Sequence, residues 1–308
     1  MSWWCSATKL PWDWAPRAYP GVWLVMAAIM VAYVRSRRRL TPEERAADDP
    51  RRPIAFVLGW LVLWAASDWP IGTLGSGYLA SVHMVQYLMY TLMAAPLLVI
   101  GISPFTLRRA LERAHLTGVV KVVCQPIPAG LFVNLVLVAT HAPVTLDPLR
   151  SSQLGSFLLD ALWLLGGLVL WIPICGTFDE VRPSYPVRGV LLFLGAGVVP
   201  MIPGAFLTFA DNPLYSIYEL APRVGGIDAR DDQQMAGVLM KVGSVPLIWP
   251  VIGMLFFRWA KETIQPSHPP RPAGTAAATA PGRGAGPAAA PEVRSNGASS
   301  PAATPPAG

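Results

Sequence analysis

Residues 78–102 read YLASVHMVQYLMYTLMAAPLLVIGI, an uncharged run longer than the ~20 apolar residues a helix needs to cross hydrocarbon. Working outward, six further apolar stretches lie at residues 20–34, 53–66, 119–140, 154–174, 187–209 and 235–259. The first two are short, and flanking aromatics and snorkelling arginines extend them. The pattern predicts an all-α, polytopic membrane protein with seven transmembrane helices. Composition agrees: 53% of residues are hydrophobic and 14% charged, against about 25% charged in soluble domains.

The basic residues sort by loop. Arg35, Arg37, Arg38, Arg39, Arg45, Arg51 and Arg52 follow the first span. Arg108, Arg109, Arg113 and Lys121 follow the third, Arg182 and Arg188 the fifth, and Arg258 and Lys261 the last. The alternate loops hold none in 67–77, Arg150 alone after the fourth span, and Arg223 and Arg230 after the sixth. The positive-inside rule then puts the N-terminus outside and the C-terminus inside. Basic residues follow the first span, so it reads as a retained helix and not a cleaved signal peptide. Trp3, Trp4, Trp12, Trp14 and Trp23 read as its outer aromatic belt. The predicted organisation is an outer segment 1–19, a membrane domain 20–264, and a Pro/Ala/Gly-rich cytoplasmic tail 265–308 expected to be disordered. The net charge of +6 sits between apolar runs, so no nucleic acid is expected as partner. The cysteines, Cys5, Cys124 and Cys175, form no Cys-x-x-Cys pair and read as small buried residues. Pro96, Pro126, Pro128, Pro200, Pro203, Pro246 and Pro250 predict kinks. Gly166–Gly167 and Gly195-x-Gly197 permit close helix contact.

Polar side chains in hydrocarbon are costly and mark candidate sites. His83 lies roughly 8 Å below the outer surface, with Gln86, Tyr87 and Tyr90 on the same helix face. His141 ends the fourth span, Asp160 enters the fifth with Ser156 one turn above it, and Asp68 closes the second. The topology, drawn from arginines alone, gathers all of these in one leaflet. Neutral imidazole is a common metal ligand, and satisfied hydrogen bonds are the plain alternative for His83 and His141. Asp160 is expected to pair with one of these imidazoles or to orient it. Lys241 pairs with an acid such as Asp160 or reaches the surface, and Asn134 reads as a helix–helix donor. Met84, Met89 and Met93 offer soft sulfur, with core packing as the alternative.

The run from Gly77 through His83-Met84, Gln86 and Tyr87 to Ala95-Pro96-Leu97 and Gly101 resembles the CtaG-type cytochrome c oxidase assembly factors. His141-Ala142-Pro143 is similar to that family's His-x-Pro, and Gly167 to Trp171 to its Gly-x-x-x-Trp segment. Leu214-Tyr215-x-x-Tyr218 and Asp232-Gln233-Gln234-Met-Ala-Gly237 resemble two later blocks. The likeness covers about residues 54–257. It implies a non-enzymatic membrane protein of the plasma membrane that supports assembly of a haem–copper oxidase and helps copper delivery. The implied partners are oxidase subunits or copper chaperones. Departures are visible: Tyr87 stands where the family pattern carries a second histidine, Ser156 and Asp160 where it carries histidines, and Lys241 where it carries tryptophan.

These readings converge on one expectation and two alternatives. His83 and His141 bind Cu(I) transiently near the outer face, with Met84 as a soft third ligand. Asp160, Tyr87, Gln86 and Asp68 are supporting polar groups. The alternatives are a transporter or ion pathway using Asp160 and Lys241, and a haem-binding electron-transfer protein with His83 and His141 as axial ligands. No nucleophile–base pair or cofactor loop emerges, so no catalysis is expected.

Overall fold

The computed structural model describes residues 2–176 and 178–264, and helix is the only regular structure among them. The tail expected to be disordered, 265–308, lies outside the described residues. In chain order, α1 is Pro20–Arg38, α2 Pro42–Ala47, α3 Arg52–Ser67, α4 Ile71–Gly77 and α5 Ala80–Gly101. Then come α6 Pro104–Arg113, α7 Thr117–Val123, α8 Pro126–His141, α9 Pro143–Arg150 and α10 Gln153–Cys175. The last are α11 Tyr185–Phe209, α12 Ser216–Glu219, α13 Ala229–Val242 and α14 Val245–Ile264.

This is a multi-pass membrane protein. Four segments are long and apolar enough to cross: α5, α10, α11 and the joined Ala229–Ile264. Two bent pairs, α3 with α4 at 46° and α7 with α8 at 84°, raise the number to six if each is one broken span. Of the seven expected spans, four to six pass by length and composition. The expected first span, 20–34, falls outside this set because α1 carries Arg35, Arg37 and Arg38 in its last turn. The stretch 119–140 is also corrected. Gln125 precedes Pro126 and is extended (ψ 151°), since a residue before proline is pushed out of the helical region. The helix restarts nearly at right angles, so the stretch is two helices, α7 and α8, and not one straight span.

The prolines act where the sequence places them. Two π-helical turns, Met89–Ala94 in α5 and Phe193–Val198 in α11, run into Pro96 and Pro200. In the first, the Ala95 N–H donates to the Tyr90 carbonyl and Pro96 has no N–H to give. The Thr91 carbonyl instead accepts the Trp171 indole at 2.9 Å. Gly167, one turn before Trp171 on α10, makes this approach possible: a Cβ there would lie 2.8 Å from Ala95 Cβ and 2.9 Å from Thr91 Cα. The Gly-x-x-x-Trp spacing is therefore a packing device that locks α10 onto α5.

The N-terminal segment departs from expectation. Trp4 is not a belt residue but is buried, and its ring packs edge-on against Phe157 of α10 at 4.9 Å. The Ala7 N–H donates to the Arg150 carbonyl at 2.9 Å. Trp14 and Trp23 do remain exposed. The segment before α1 thus closes over the start of α10, where the polar residues collect.

Candidate functional site

α5 begins beside a carboxylate from a distant helix. The Ala80 and Ser81 backbone N–H groups donate to Asp232 of α13 at 2.5 and 3.2 Å, and the Ser81 hydroxyl donates to it as well. A helix start has unpaired N–H groups and positive potential, so an acid there both caps and neutralises it. This cap fixes the first turn of α5, and His83 projects from that turn.

His83 is fully buried. Its Nδ1 lies 2.9 Å from the Tyr218 hydroxyl, which donates its single proton to the Gly75 carbonyl at 2.7 Å. Arg150 Nη2 also lies near this nitrogen, at 3.5 Å, but the shorter tyrosine contact dominates. With its own proton on Gly75, the Tyr218 oxygen accepts from His83, and the imidazole proton is assigned to Nδ1. His141 is set in the same way: its Nδ1 is 2.9 Å from the Leu137 carbonyl, a group that can only accept. In both rings Nε2 is left with a free lone pair, buried and without a partner among the described residues. The ring centroids are 5.5 Å apart and the planes meet at 71°. Trp163 packs against both, at 4.8 and 5.6 Å, and its indole donates to Thr140 at 3.0 Å.

Below this pair sits a buried ion pair. Arg150 Nη2 is 3.0 Å from Asp160 Oδ1 and donates to Gln86 Oε1 at 3.1 Å. The Trp4 indole donates to the other Asp160 oxygen at 2.9 Å. Asp160 thus pairs with Arg150 and not with either imidazole, contrary to the sequence expectation. Asp160 offsets the charge of Arg150, whose guanidinium nevertheless lies against His83.

The remaining expected residues divide. Gln86 belongs to the cluster and also donates to the Ala66 carbonyl at 2.9 Å. Tyr87 does too: its ring lies edge-on to His141 at 4.9 Å, forming a wall. Met84 leaves α5 about 100° around from His83 and lines a small internal cavity with Met240 and Pro200. Asp68 stands apart, taking the Trp23 and Trp64 indoles at 2.8 Å each. Lys241 does not meet Asp160; its ammonium sits 5.1 Å over the Phe209 ring. Among the described residues no three of His, Cys, Asp and Glu converge on a metal position.

Sequence reasoning missed Arg150, Trp163, Trp4 and the positioning roles of Tyr218 and Asp232. The available signal for Arg150 was its isolation in an otherwise arginine-free loop, close in sequence to an intramembrane acid. Two separated blocks also meet here. The Gln233 side chain accepts from the Leu214 N–H at 2.6 Å, while the Tyr215 hydroxyl donates to the His141 carbonyl at 2.7 Å. The segment 214–218 is thus held by α13 and in turn holds both histidines.

A family model for the cytochrome c oxidase caa3 assembly factors matches residues 14–262. The chain belongs to this family. Comparison with curated proteins and with solved structures finds no match. As a member of the caa3 assembly factors, the chain is a membrane-embedded factor for cytochrome c oxidase assembly. The blocks that resembled the family in sequence are those that build the cluster: the α5 turn with His83, the end of α8 with His141, the Tyr215–Tyr218 segment and the start of α13.

Proposed function

We propose that this assembly factor hands Cu(I) to the oxidase through His83 and His141. The observation that carries the reading is the matched pair of buried imidazoles, each with Nδ1 engaged and Nε2 free. A buried polar atom without a partner is rare and calls for a ligand or water. Imidazole nitrogen suits copper, and two neutral donors beside a balanced ion pair suit a monovalent cation better than a divalent one. With two ligands the ion is held loosely enough to pass on. Arg150 opposes tight retention, because its guanidinium approaches His83 at 3.5 Å. Metal cargo is substrate here, and no bond of the protein changes.

His141 also lines an apolar cleft of about 360 Å³ with Phe206, Leu207 and Tyr215, a lateral route by which a partner's segment reaches the pair. The partners in this reading are oxidase subunits or a copper chaperone, met at the outer face of the plasma membrane with the N-terminus outside. The role is delivery, not catalysis. A haem between the imidazoles is disfavoured, because Tyr87 and Trp163 pack against them and fill the space a flat macrocycle needs. The ion-pathway reading loses its central pair, since Asp160 is engaged by Arg150.

The deciding experiment is a competitive Cu(I) titration of the detergent-solubilised chain beside the His83→Ala/His141→Ala variant, with unfolding monitored in parallel. Stoichiometric binding that disappears in a variant that remains folded is the expected result. Equal binding by both proteins removes the ligand assignment and leaves a scaffold for oxidase subunits.

A further inference from the structure

At the opposite end of α5 from His83, α1 and α6 enclose a cleft of about 510 Å³. One stripe of α1 runs through it. Ala28 and Val31 line it and lead into Arg35, with Ala32, Ser36 and Arg39 alongside. Leu24 continues the same stripe one turn beyond the cleft, so that Leu24, Ala28, Val31 and Arg35 stand at i, i+4, i+7 and i+11. That face changes from apolar to basic over roughly 10 Å of helix. α6 supplies Thr106, Arg109 and Arg113 from successive turns opposite. Four arginines therefore ring a cleft whose inner wall is hydrocarbon.

The charges are unevenly matched. Arg109 pairs with Glu44 of α2 and donates to the Arg39 carbonyl at 3.2 Å. That contact ties α6 to α1 and keeps the cleft open to a defined width. The side chains of Arg35, Arg39 and Arg113 have no acidic partner among the described residues. By contrast, the neighbouring Arg37 and Arg52 are both engaged by Asp48, at 2.8 and 3.0 Å. Three of the four cleft arginines are thus left without a carboxylate, while Arg38, Arg45 and Arg51, also without an acidic partner among the described residues, lie outside the cleft.

We propose that this cleft binds the phosphodiester headgroup of an anionic glycerophospholipid, with the upper acyl chains lying along Leu24, Ala28 and Val31. Guanidinium groups match phosphate oxygens in geometry and charge. Basic pockets between helices at the membrane surface are suited to such headgroups. The source of the phosphate is argued from the wall: Leu24 is 71% and Val31 51% exposed, directly below the arginines. A free phosphate gains nothing from that surface, whereas a lipid covers it. The site needs only the membrane interface and does not depend on which leaflet that is, nor on copper handling.

The test is native mass spectrometry of the full chain, delipidated in neutral detergent, with phosphatidylglycerol and phosphatidylcholine added in equal amounts. Phosphatidylglycerol adducts should exceed phosphatidylcholine adducts by ~10-fold. The variant Arg35→Gln/Arg39→Gln/Arg113→Gln should lose most of that preference. Arg38→Gln/Arg45→Gln/Arg51→Gln, which removes the same charge outside the cleft, should keep it. All six positions are exposed, so both variants should melt close to the parent. Equal binding of the two lipids, or equal loss of preference in both variants, overturns the site. Displacement of phosphatidylglycerol by an equal concentration of inorganic phosphate overturns the lipid assignment.

Discussion

The two ends of α5 solve the problem of charge in opposite ways. Around the histidines the charges are few, and Asp160, Arg150 and Asp232 are buried, with exposed pairs such as Arg17–Asp13 and Arg230–Asp211 only farther out. Asp160 meets Arg150, Asp232 meets backbone N–H groups, and Asp68 meets two indoles. At the other end charges are many, and apart from the buried Asp48 they sit at a solvent-facing rim where arginines outnumber acids. A buried charge must be partnered or it destabilises the fold, while an exposed one is nearly free. The first end is therefore specified residue by residue, and the second by number and position. Substitutions should separate the ends cleanly.

The largest effect is expected at Arg150. Arg150→Ala leaves Asp160 buried beside the Trp4 indole without a cation, and should lower stability by ~3–5 kcal/mol. Arg150→Met with Asp160→Leu removes both charges and should cost clearly less, since an apolar pair needs no solvation. Thermal unfolding in detergent compares them. If the double variant is as unstable as the single, it is packing and not charge balance that holds this end.

A smaller effect, and a sharper one for function, is expected at Tyr218. Tyr218→Phe removes the acceptor that holds the proton on His83 Nδ1. Outer groups of this kind tune a ligating histidine by ~10–100-fold in metal affinity. Stability should fall by only ~1 kcal/mol. Tyr215→Phe, which loses a bond to the His141 backbone carbonyl but none to a ring nitrogen, should leave Cu(I) affinity within a few-fold of the parent. Equal losses in the two variants would mean that the segment acts by position alone. Asp232→Ala comes next, at ~1–2 kcal/mol for the lost cap of α5, with Asp232→Asn retaining part of it.

Much of this was legible in the sequence, for reasons tied to particular residues. Uncharged runs long enough to cross hydrocarbon gave the helical membrane class. His83, Gln86, Tyr87, His141 and Asp160 stood out because polar groups are scarce in such runs, and they do come together. What the sequence hid was pairing. Arg150 lies in a loop and looked like one weak topological mark, yet the short α9 carries it back under α5. Trp4 looked like an interfacial tryptophan because nothing in its neighbours reveals that Gly21 lets residue 3 pack close, where a Cβ would come within 2.5 Å of the Trp3 carbonyl. The break before Pro126 was signalled by the proline itself, but a hydropathy reading sums across it. Met84 illustrates the converse: adjacency in sequence placed it beside His83, while helical geometry turns it elsewhere.

The smallest effect belongs to Glu44, at the arginine end. Its side chain accepts from the Thr41 N–H at 2.9 Å in a capping box and pairs with Arg109. The Thr41 amide first, and Arg109 next, hold its carboxyl below the ordinary glutamate range. A folded value below the unfolded one means the contribution is complete above the unfolded pKa and fades as pH falls through the folded one. Hydrogen exchange of α6 amides, followed from about pH 6 to about pH 3 and corrected for intrinsic rates, should therefore show protection falling only below ~4. Glu44→Gln should flatten that profile, because an amide keeps the shape of the capping box without the charge. The histidine end serves as the internal control: α5 amides near Asp232 should not follow the Glu44 substitution. If they did, the two ends would be coupled through the length of α5, and the separation of buried from exposed charge drawn above would fail.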